Sequence, residues 1–111
     1  MRNQRHSAAK KVATSLFAFE EAMDLALQRA AELNAAIPAA RTEAGVSAIF
    51  GQEAMDSASR SLVLLVQARR EMVAAHQQLD EVKTQLGLRE MAFGDLTPKP
   101  PIGGIRIVEA A

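Results

Sequence analysis

Cysteine is absent from this sequence, and so are tryptophan and tyrosine. Without thiols there is no disulfide framework, no thiolate nucleophile and no cysteine metal site. The aromatic residues are four phenylalanines. β-branched residues are also too few for a β-rich protein, which fills its pleated faces with such side chains. The longest uninterrupted apolar run is Leu62–Val66, far short of the ~20 residues that span a bilayer. Met1–Lys11 is basic, but no apolar stretch of signal-peptide length follows it, and Glu20 and Glu21 come soon after. A cytoplasmic protein with no membrane span is therefore expected. Net charge is zero, from thirteen basic and thirteen acidic residues, so the body is not one that tracks phosphates over its whole surface.

What the chain has in abundance is alanine, about a fifth of all residues, together with leucine. Both lose little side-chain freedom on entering a helix and favour an all-α protein with closely spaced helices. The apolar residues follow a helical period. Val12, Leu16, Phe19, Met23, Ala26, Ala30, Leu33 and Ile37 are separated by alternating steps of four and three, which lays them along one seam of one helix. Leu65, Ala68, Met72, Ala75, Leu79, Val82 and Leu86 repeat the pattern in the second half. Met55, Ala58 and Leu62 extend it upstream, with one short step from Leu65 to Ala68 that would overwind the packing locally.

Ser7 is placed to cap the first helix and Gly87 to end the second. Pro38 has no backbone donor and clashes with the preceding turn, so the first helix stops near Ala36 or passes a kink and continues to Ala44. The seam favours continuation, because Ala40 and Ala44 remain in step. Gly45 would then turn the chain and Ser47 would cap the next helix. The expected domain plan is a flexible basic arm over 1–6, a helical hairpin over 7–96 with its turn near 37–47, and an extended proline-rich tail over 97–111. The helices would be nearly equal, about 60 Å each at 1.5 Å per residue.

A two-helix hairpin with a short connection packs antiparallel, but it buries only one stripe on each helix. Leu62, Val63, Leu64, Leu65 and Val66 point all round the second helix, and a helix apolar on every side wants cover on every side. Phe17 and Phe50 also fall off the seams. These seven residues form the expected self-association surface, with a second copy completing a four-helix bundle.

No arrangement suited to catalysis occurs, and a non-catalytic protein without cofactor or metal is expected. His76 and Asp80 are four apart on one helix face, read as a surface histidine beside an acid. Glu20, Glu21 and Asp24 form an acidic patch assigned to a solvated face, and Glu-x-x-His, the di-iron bundle motif, is missing. Asp56 and Arg60 are spaced as an ion pair. Met23, Met55 and Met72 are read as core. The serines at 57, 59 and 61 lack a nucleophile's surroundings, and no glycine-rich phosphate loop follows a strand.

Two terminal segments could contact partners. Pro98, Pro100 and Pro101 favour a stiff polyproline spacer, after which Ile105, Ile107 and Val108 could add a strand to another protein's sheet edge. Arg2, Arg5, Lys10 and Lys11 could touch phosphates, although no aromatic residue is interleaved for stacking on bases. The sequence thus predicts a helical assembly protein that self-associates through its seams and docks a partner through its tail. The alternative is a small nucleic-acid-associated protein that uses the basic start.

Overall fold

A computed structural model describes residues 2–87 of the chain. Helix α1 spans Arg2–Ala44 and helix α2 spans Gln52–Gln85. Among the described residues there is no strand, and the two helices pack as a hairpin. Neither helix is long and apolar enough to cross a membrane. The expected tail contacts Pro98, Pro100, Pro101, Ile105, Ile107 and Val108 lie outside the described residues.

Helix α1 starts earlier than expected: residues 2–6, read as a flexible arm, are its first turns, and Ser7 lies inside it rather than capping it. The helix runs through Pro38 to Ala44. Pro38 cannot donate the bond that Asn34 C=O would otherwise receive. The ladder is steadied locally by side chains, since Thr42 Oγ1 donates to Pro38 O at 3.0 Å and Asn34 Nδ2 donates to Ala30 O at 2.8 Å. Arg41, the basic residue of the last turn, suits the negative end of the helix dipole.

Gly45 ends α1. Its φ of 68° is left-handed backbone, where a Cβ would meet the adjoining carbonyl. That turn lets Gly45 N–H reach Thr42 O at 3.2 Å and Val46 N–H reach Arg41 O at 3.4 Å. The two bonds form a Schellman closure that satisfies carbonyls left over at the helix end. The connection occupies 45–51, later than the expected 37–47. Ser47 does not cap α2: its Oγ accepts from Ile49 N–H at 3.3 Å within the turn, while Gly51 is the N-cap residue. α2 therefore begins at Gln52, and the helices are unequal, at 43 and 34 residues rather than matched. Gly87 follows the end of α2 as expected, donating to Thr84 O at 3.0 Å.

The buried apolar residues are Ala13, Leu16 and Met23 on α1 and Ala58 and Met72 on α2. Ala9 and Leu79 pack against Ala13 and Leu16 at the open end. These positions correct the expected seam. On α1 the inward line is Ala9, Ala13, Leu16, Glu20, Met23, Leu27, Ala30, Asn34 and Ile37, all buried or half-buried. It shares Leu16, Met23, Ala30 and Ile37 with the expectation. Val12, Phe19 and Leu33 are exposed, and the residue after each of them faces α2 instead.

α2 shows the same one-residue offset. Its inward line is Met55, Ala58, Leu62, Leu65, Arg69, Met72, His76, Leu79 and Lys83, an unbroken alternation of threes and fours. Ala68, Ala75 and Val82 are exposed. The short step expected at Leu65–Ala68 disappears, because Arg69 holds that place. The reason is chemical: Glu20, Asn34, Arg69 and His76 find partners on the other helix there, while Lys83 pairs with Asp80 of its own helix.

Candidate self-association surface

Three cross-helix polar contacts set the register. His76, one of the most buried residues at 3% exposure, lies in α2 against Glu20 of α1. Glu20 Oε1 is 3.0 Å from His76 Nδ1, an ion-pair distance; the alignment is not that of a good hydrogen bond, and this oxygen has no other partner. Arg69 Nε donates to Asp24 Oδ1 at 3.2 Å, with both side chains about half exposed. Asn34 Nδ2, besides its bond within α1, donates to Ala58 O at 3.1 Å. The expected surface histidine and the expected solvated Glu20 are thus both corrected. Asp80 pairs with Lys83 at 2.9 Å. Nor do Asp56 and Arg60 pair: Asp56 accepts from Gln52 Nε2 at 2.9 Å, and Arg60 donates to Ser57 Oγ at 3.2 Å.

Unsatisfied polar groups are costly when buried, by about 1–3 kcal/mol each. Glu20 opposite His76 and Asn34 opposite the Ala58 carbonyl therefore select one alignment of the two helices. Sliding either helix by a turn would place an acid or an amide against apolar neighbours. Among the described residues no group of three acids or histidines is arranged to hold a metal ion.

With register fixed, the flanks of the seam can be read. In an antiparallel pair, equivalent flanking positions of both helices lie on the same side, because the two-fold axis relating the helices runs across that side. The residue before each a-type seam position is Val12, Phe19, Ala26, Leu33 and Ala40 on α1, and Ala54, Ser61, Ala68, Ala75 and Val82 on α2. These ten residues line one flank of the hairpin, and none is charged. By the register, Val12 falls level with Val82, Phe19 with Ala75, Ala26 with Ala68, Leu33 with Ser61 and Ala40 with Ala54. All are exposed except Ala26, which is half-buried; Phe19 is 49% and Leu33 52% exposed. The other flank is mixed, carrying Lys10, Phe17 and Asp24 on α1 and Val66, Val73 and Asp80 on α2.

The expected self-association residues divide between these surfaces. Leu62 and Leu65 are half-buried on the internal seam, whereas Val63, Leu64 and Val66 are exposed on different sides of α2. Phe17 is exposed on the mixed flank and Phe50 at the turn. Of the expected phosphate contacts, Arg5, Lys10 and Lys11 are exposed on the first turns of α1, with Arg2 at its start. Sequence reasoning missed the uncharged flank as an outer face, because it spent eight of its residues on the hairpin's own seam. The signal that could have found it is the third apolar position in each heptad, combined with complementary polar residues one place later. Compared with protein-family models, curated proteins and solved structures, the chain matches none.

Proposed function

We propose that this is a non-catalytic assembly protein whose hairpin self-associates through its uncharged flank. The observation that carries this reading is that ten positions on one side of two helices hold no charge, although charged residues make up 23% of the chain. An exposed helix face of that kind tends to be covered, since contiguous apolar patches mark interaction sites.

The dimensions support a specific contact. From Val12 to Ala40 the flank runs roughly 40 Å along the helices at 1.5 Å per residue. Two helices side by side are about 20 Å wide at ordinary helix spacing. The footprint of about 800 Å² per copy equals the standard share of a stable protein interface. A second hairpin presents a surface of the same size, its uncharged strip edged by Arg29 and Glu71, and two such strips face to face make a four-helix bundle. The tail residues Pro98–Val108 enter the proposal from their sequence alone, as a contact for another protein.

Replacing Ala75 with Glu tests this reading, because Ala75 is exposed in the single hairpin and the change leaves the internal seam intact. The variant should remain helical and lose its dimer by light scattering, whereas Gln77→Glu, elsewhere on α2, should keep it. Equal masses for the two variants would refute the flank as the contact. A chain ending at Leu96 should remain a dimer, separating self-association from any role of the tail.

A further inference from the structure

We infer that the two copies join with their turns at the same end, so that α1 of each chain lies over α2 of the other. This rests on the self-association proposed above and specifies its geometry. Closed symmetry allows two ways to stack two hairpins flank to flank. With the two-fold axis along the helices, levels are preserved and α1 covers the partner's α2. With the axis across the helices, α1 covers the partner's α1, and levels invert about Ala26 and Ala68.

The sizes of the flank residues distinguish these arrangements. When α1 lies over α2, Phe19 meets Ala75 of the other copy and Leu33 meets Ser61. Each such layer then holds two large and two small side chains. In the inverted stack Phe19 meets Leu33 while Ala75 meets Ser61, which crowds one pair of helices and leaves a gap between the other pair. Protein interiors tolerate neither voids nor crowding, because packing is as dense as in organic crystals. Large over small is the arrangement that fills evenly.

The turn provides a separate observation. Val46, Ile49 and Phe50 are 39%, 81% and 61% exposed, an apolar cluster at the end of the hairpin. Only the arrangement with turns together brings two such clusters side by side. It also brings together the basic ends carrying Arg5, Lys10 and Lys11, but exposed charges interact weakly and are screened by salt.

The absence of cysteine makes the test direct. Ser47→Cys, in the exposed turn, and Gln85→Cys, at the exposed end of α2, each provide one site per chain for a spin label. With turns together, both labels should show separations of about 30 Å or less, the width of a bundle with helices 8–10 Å apart plus label arms. With turns apart, both would lie about 50–60 Å from their mates, the length of the hairpin at 1.5 Å per residue. A dimer with short separations at both sites supports the inference. A dimer with long separations, or a mixture of both, overturns it and leaves self-association standing. A monomer by light scattering overturns both.

Discussion

The buried pair Glu20–His76 makes the register testable by a double-mutant cycle with leucine at either or both positions. His76→Leu leaves Glu20 Oε1, which has no other partner, against an apolar side chain. A buried oxygen stranded in this way costs about 1–3 kcal/mol. Because the Glu20 side chain keeps 32% exposure and can turn outward, the lower half of that range applies, about 1–2 kcal/mol. Glu20→Leu takes the cross-helix acid away from His76, whose side chain is only 4% exposed, and should cost about 2 kcal/mol. With both replaced, no polar group is stranded and two leucines meet on the seam. Replacing a buried polar pair with packed apolar residues is often neutral or stabilising. The double variant should therefore unfold within about 1 kcal/mol of the parent, a coupling of about 3 kcal/mol. The assay is urea unfolding followed by helical circular dichroism, at one fixed protein concentration so that the proposed self-association contributes equally to every variant. If the two single losses simply add, Glu20 and His76 do not face each other, and the register from which the flank was read is wrong.

Two backbone predictions follow from the same structure. Gly45→Ala should destabilise by about 1–2 kcal/mol, the cost of left-handed backbone for a residue with a Cβ; nothing lies near the added carbon, so an unchanged urea midpoint would contradict the strained turn. Pro38→Ala should stabilise by roughly 1–3 kcal/mol, since it restores the bond to Asn34 C=O and removes the ring clash; a loss of stability would show that α1 uses the ring's packing more than the bond.

The hairpin was legible because it depends on coarse features. Helix-forming composition, a heptad rhythm in both halves and glycine beyond each helix end all act locally, so sequence alone exposes them. α1 passing through Pro38 was also readable, since Ala40 continues the apolar row of Val12, Phe19, Ala26 and Leu33 beyond the proline. The choice of seam was not. Each helix offers three apolar positions per heptad, and hydrophobicity alone prefers Phe19 over Glu20, Leu33 over Asn34 and Ala75 over His76. What decides is pairing between residues distant in the chain: Glu20 with His76, and Asn34 with the Ala58 carbonyl. A polar residue looks outward until its partner is known. The same rivalry hid the flank, because residues assigned to the inner seam were not considered for an outer one. Boundaries moved for a local reason, as a helix start without a side-chain cap leaves little trace: α2 begins after Gly51 with no side-chain cap bond.

The central claim, that the hairpin's uncharged flank is covered by a second copy, is tested most directly by the mass of the full chain in solution. Light scattering over a wide range of protein concentration should give twice the 11.9 kDa chain mass, falling toward the single mass only on strong dilution. A mass of one chain at every concentration would contradict the account.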